Sequence, residues 1–62
     1  MEQIVIEVQL PLDQAWALAQ FLKRAGYSNY RTLAASEQEA YEMLYAAQSL
    51  SAALAEEGCA PR

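Results

Sequence analysis

Gln3-Ile4-Val5-Ile6-Glu7-Val8-Gln9-Leu10 is the stretch on which the fold class turns. Ile4, Ile6, Val8 and Leu10 recur at every second position, with Val5, Glu7 and Gln9 between them. That period of two predicts a half-buried β-strand over residues 3–10. A lone strand leaves its edge amides and carbonyls without partners, so it needs a neighbour. Two are open to it: residues 27–33 of the same chain, or the same strand of a second copy. The expected fold is α+β, an N-terminal strand followed by two helices, with 27–33 open to a short second strand.

Outward from the strand, Pro11 stops the ladder and suits the first turn of a helix. From about residue 12 to 25 the period changes. Ala15, Leu18, Ala19, Leu22 and Ala25 share one helical face, flanked by Leu12 and Phe21. Lys23 and Arg24 suit the negative end of the helix dipole, and Gly26 is a natural stop. Residues 26–35 then form a connector. Within it Tyr27, Tyr30 and Thr32 favour a strand, while Ser28 could cap a helical turn.

Ser36-Glu37-Gln38-Glu39 has the form of a capping box, in which Glu39 reaches back to the serine amide. It opens a helix over about 37–57, with Ala40, Met43, Ala47, Leu50 and Leu54 on its buried stripe. Gly58 and Pro61 end it. Between Ser36 and Glu57 there are five glutamates, two tyrosines and no lysine or arginine. A helix of one sign gives up the cross-turn ion pairs of an ordinary exposed face. Glu56 and Glu57 also sit where the dipole disfavours anions, by about 0.3–1 kcal/mol each.

At 62 residues the chain is one small domain, which buries only about 60% of its unfolded surface. One cysteine excludes an internal disulfide, and the lack of histidine argues against a zinc site. No cofactor or metal is expected, and a second copy is the stabilising device left open. Residues 1–10 are too short and too acidic for a signal peptide, and no apolar run approaches a membrane span. With its unpaired Cys59 the chain reads as cytoplasmic. A net charge of −4 speaks against direct nucleic-acid binding.

An enzyme is not expected. There is no histidine base, no phosphate-cradling glycine loop, no nucleophile with an orienting partner and no room for a pocket of ~300 Å³. The candidate site is instead a protein-binding face. Glu37, Tyr41 and Tyr45 lie on the side of the second helix away from its stripe, with Glu42, Glu56 and Glu57 beside them. Tyrosine rimmed by carboxylate resembles interface composition. Alternatively the tyrosines pack on 27–33 and the glutamates serve solubility. Trp16, on the polar side of the first helix, either closes the edge of the core or anchors a partner.

Two resemblances rest on these residues. The strand, the Ala15-Trp16-Ala17-Leu18-Ala19-Gln20-Phe21-Leu22-Lys23-Arg24 helix and the Ala-Leu-Ala-Glu tail before Gly58 resemble short uncharacterised bacterial proteins carried on mobile elements. In size, acidity and lack of active-site residues the chain is similar to the anti-CRISPR inhibitors. That likeness implies a non-enzymatic inhibitor of phage or mobile-element type, acting as a nucleic-acid mimic. Its partner would be a basic protein surface, such as a CRISPR effector subunit. The order strand, helix, Gly26-Tyr27-Ser28-Asn29, helix also resembles the ribbon-helix-helix regulators, which implies a homodimeric regulatory or antitoxin module. The outward positions Val5, Glu7 and Gln9 would repel phosphate in that layout.

Overall fold

The computed structural model describes residues 2–61 and is all-helical among them: α1 spans Leu12–Arg24, α2 Tyr27–Leu33 and α3 Glu37–Glu56. The α+β expectation is thereby corrected at two places. Residues 27–33 are a helix, and residues 3–10 form no strand. The second follows from the first. With 27–33 committed to a helix, no edge remains among the described residues to receive the backbone of 3–10. Residues 2–11 are an arm with every side chain exposed, Val5 to 94%.

Each helix forms for local reasons. Pro11 is the N-cap of α1, with φ −54° and ψ 149°, and its carbonyl accepts from the Ala15 amide at 3.0 Å. Asp13 lies in the first turn, Lys23 and Arg24 in the last, as the dipole favours. In α2 the Asn29 side chain reaches back to accept from the Gly26 amide at 2.8 Å. That is one half of a capping box and fixes the start of the helix. Thr32 turns its hydroxyl back onto the Ser28 carbonyl at 2.9 Å, so this β-branched residue sits comfortably in the helix.

α3 is capped at both ends. Ser36 Oγ accepts from the Glu39 amide at 3.2 Å, and Glu39 Oε1 accepts from the Ala35 amide at 2.9 Å. The box is real but reaches one residue further back than the sequence pattern suggests. At the other end the Cys59 amide donates to the Leu54 carbonyl and the Gly58 amide to the Ala55 carbonyl, at 2.9 and 3.0 Å. This is a Schellman closure, and Gly58 takes the left-handed φ of 92° that it requires.

α1 and α2 both pack against α3. The α1 stripe of Ala15, Leu18, Ala19, Leu22 and Ala25 is half-buried or better throughout, whereas Leu12 and Phe21 remain exposed. On α3 the inward face is Ala40, Met43, Leu44, Ala47, Ser51 and Leu54, and Leu50 is exposed. The stripe leans toward Leu44 and Ser51 because two helices, rather than a sheet, cover it. The core is thin: Ala19, Tyr30, Ala40 and Cys59 are buried, and Ala40 is fully closed off. The small side chains at 19 and 40 are what let the helices approach. Cys59 folds in after the Schellman turn, near Ala19 and Ser51, so it is not open to chance disulfide formation.

Candidate protein-interaction face

The outward side of α3 carries a ladder of three aromatic rings. Tyr27 of α2 lies 4.9 Å from Tyr41, centroid to centroid and tilted by 36°. Tyr41 stacks on Tyr45 one helical turn along, at 6.3 Å and 26°. Both distances fall in the range in which aromatic pairs attract beyond simple area burial. Tyr41 packs on the 27–33 segment through Tyr27, yet Tyr41 and Tyr45 stay 42% and 55% exposed.

The sequence alone does not place Tyr27 on this face, because the segment that holds it reads equally as a strand or a helical turn. The helical alternative, with Asn29 as its reaching-back residue, would have placed Tyr27 against α3. Its phenol is held above the ordinary value of 10.0 by partial desolvation, then by the Glu37 carboxylate and by Tyr41, with Arg31 opposing. The Glu37 charge therefore acts on Tyr27, the ring that α2 contributes to the ladder. Stacking also restricts the rings in advance, which lowers the entropy that any contact covering them would cost.

Glu37, Glu42, Glu56 and Glu57 are all exposed. Glu37 is joined to the ladder electrostatically, and Glu42 and Glu56 follow on the same outward side by the 100° step of the helix. Glu57 is the C-cap, φ −90° and ψ 8°, one residue beyond the helix. Glu39 is set apart from this group by its capping bond. Trp16 is 38% exposed, with most of its ring covered, and belongs to α1 rather than to the ladder. The structure therefore brings Glu37, Tyr41 and Tyr45 together with Tyr27, and leaves Trp16 on a separate element.

The expectation that the chain has no room for a pocket is also corrected. α1 and α2 splay as they lean on α3, and a groove of about 580 Å³ opens between them. Ala17, Phe21 and Ala25 form one wall, Asn29, Thr32 and Leu33 the other, with Arg24 as its charged residue. It holds no carboxylate, thiol or hydroxyl–base pair that would do chemistry. Among the described residues no group of three or more His, Cys, Asp or Glu side chains could hold a metal ion. No helix of the described residues is long and apolar enough to cross a membrane.

Comparison with known proteins places the chain in a family but assigns it no activity. A family model described as a family of unknown function, DUF7706, matches residues 1–62. The chain belongs to this family. No curated protein and no solved structure matches it. The family match covers the arm as well as the helices, so both are part of one family unit.

Proposed function

We propose that this DUF7706 member is a non-enzymatic binding protein whose outward α3 face docks on a basic protein surface. The observation that carries the reading is the Tyr27–Tyr41–Tyr45 ladder, half-buried at Tyr27 and exposed at Tyr41 and Tyr45, with the Glu37 charge acting on Tyr27. The rings supply rigid contact area of the kind concentrated in interfaces. Glu37, Glu42, Glu56 and Glu57 steer the encounter and take the place of phosphates on a surface evolved to hold nucleic acid. A nucleic-acid-binding complex, including a CRISPR effector, is the class of target that such a face fits, and binding would make the chain an inhibitor. The lone, buried thiol of Cys59 is consistent with action in the cytoplasm. Direct nucleic-acid binding does not fit, because the same carboxylates repel phosphate.

The test is capture from a bacterial lysate by the full chain at low and at high salt, with captured proteins identified by mass. A variant carrying Glu37→Lys, Glu42→Lys and Glu56→Lys is run beside it, and circular dichroism establishes that both are helical. The reading expects basic proteins held at low salt, released at high salt, and lost with the variant. A folded variant that captures the same proteins equally well would end it.

A further inference from the structure

The chain exposes 5324 Å². A compact monomer of its 6.9 kDa should expose roughly 4,000 Å². At about 1,300 Å² per copy, two copies together carry an excess of about 2,600 Å², which exceeds the ~1,200–2,000 Å² that a standard two-chain interface removes from solvent and lies in the ~2,000–5,000 Å² range of obligate homodimers. It is also apolar in kind, because Ile4, Val5, Ile6 and Val8 of the arm are each at least two-thirds exposed. The groove between α1 and α2 is exposed in the same manner, with Phe21 and Leu33 at 55% and 77%. One molecule thus carries an uncovered apolar strip and an uncovered apolar slot.

We propose that two copies of this chain associate by exchanging arms, residues 3–10 of each lying in the α1–α2 groove of the other. Charge supports the match. The described arm carries Glu2 and Glu7 and no basic residue, while Arg24 lines the groove and Lys23 and Arg31 are exposed on the same two helices. Size supports it as well. Eight extended residues span ~26 Å, enough to run past a groove bounded by a 13-residue helix of ~20 Å. Exchange between copies is favoured over folding back because the hinge lacks a turn. Pro11 holds ψ at 149°, and a residue before proline is itself confined to extended values, so Leu10 and Pro11 carry the arm away from its own α1. Exchange about a two-fold axis uses both arms and both grooves and leaves neither uncovered. Although Tyr27 belongs to α2, none of the three ladder rings lines the groove, so this inference is independent of the proposed function.

Sedimentation or light scattering of the full chain, from about 1 to 200 µM, measures the association directly. The expected mass at the upper end is twice 6.9 kDa, falling toward 6.9 kDa on dilution. Ile6→Glu in the arm, Phe21→Glu on the α1 wall and Leu33→Glu on the α2 wall should each raise the dissociation constant by at least ~10-fold, since each buries a carboxylate in an apolar contact. All three positions are exposed in the single chain, so helicity should persist; two groove variants guard against one of them failing to fold. Mixing Ile6→Glu with Phe21→Glu unites an intact groove with an intact arm, and should give a heterodimer that neither forms alone. A full chain that stays at 6.9 kDa throughout overturns the proposal. So does a dimer weakened by Ile6→Glu but untouched by both groove variants, which would mean that the arms meet each other instead. A monomer whose arm amides lose exchange protection with Phe21→Glu would place the arm in its own groove, and overturns exchange equally.

Discussion

The arm and α3 differ in where their backbone finds its partners. α3 closes its own hydrogen bonds every four residues, and both of its ends are finished by groups within a few positions: Ser36 and Glu39 at the start, Gly58 and Cys59 at the finish. Nothing distant is needed to make it a helix. The arm is as regularly patterned, with apolar side chains at 4, 6, 8 and 10, yet its backbone can be satisfied only by another segment or by water. Among the described residues of one chain no such segment remains once α2 has formed. A regular pattern therefore states what a segment is fit for, and only a partner decides whether it is realised.

The sharpest way to break that contrast is to attack the packing that makes the helices hold. Tyr30 is only 7% exposed and joins α2 to the rest. Tyr30→Ala should cost about 3 kcal/mol, and a chain of this length has roughly 3–9 kcal/mol in total. Thermal unfolding followed at 222 nm should show most of the cooperative transition gone, whereas Ile6→Ala in the arm, at concentrations where the chain is monomeric, should shift stability by less than about 0.5 kcal/mol. Comparable losses at the two positions would mean that the arm is part of the monomer core.

Next in size is Ala40, which is fully closed off between the helices. Ala40→Leu should destabilise by about 1–3 kcal/mol through overpacking, although leucine is almost as good a helix former as alanine. Denaturant midpoints would measure it. An unchanged midpoint would show that α3 has slack where the contact looks tight.

Smaller effects probe the caps. Gly58→Ala forces a Cβ into the left-handed region at φ 92° and should cost about 1–2 kcal/mol, with nothing nearby for the methyl to meet. Ser36→Ala should cost about 1 kcal/mol by freeing the Glu39 amide. Tyr30→Phe should be neutral or stabilising, since the Tyr30 hydroxyl is buried without a partner. All three can be read from the same melts.

The smallest effect concerns the ladder and appears only in base. The phenol of Tyr27 titrates above 10.0 in the folded chain, so the unfolded chain releases that proton first. The contribution of Tyr27 is therefore fully present below about pH 10 and is lost as pH rises through its folded value. The melting temperature should fall more steeply above pH 10 in the parent than in Tyr27→Phe. Equal slopes would mean that neither desolvation nor the Glu37 and Tyr41 charges raise the Tyr27 phenol in solution.

These contrasts also mark how far the residues alone could lead. The α1 face from Ala15 to Ala25 was legible because a 3.6-residue period needs no knowledge of what lies opposite. The ends of α3 were legible because their signals, Ser36 with Glu39 and Gly58, act on amides a few residues away. Residues 27–33 were legible only as a choice between strand and helical turn, because the β-preference of two tyrosines and a threonine stands against the capping signal of Ser28. With that choice open, Tyr27 has no place on the candidate face. Glu37, Tyr41 and Tyr45 were found together because helical spacing alone puts them on one side. Trp16 is an exposed edge of α1, and its spacing gave no clue to what covers it.

Local features could be read from the residues: two amphipathic helices, the cap and stop of the acidic one, and a rod of carboxylates and tyrosines with no basic residue among them. Tertiary structure alone decided what depends on a partner. It turned 27–33 into a helix by giving Tyr30 a core to enter, and stacked Tyr27 on Tyr41. It also opened a groove between α1 and α2 and left the arm uncovered. The division follows from hydrogen bonding, since a helix pairs its backbone within itself, while an extended segment must find its partner elsewhere.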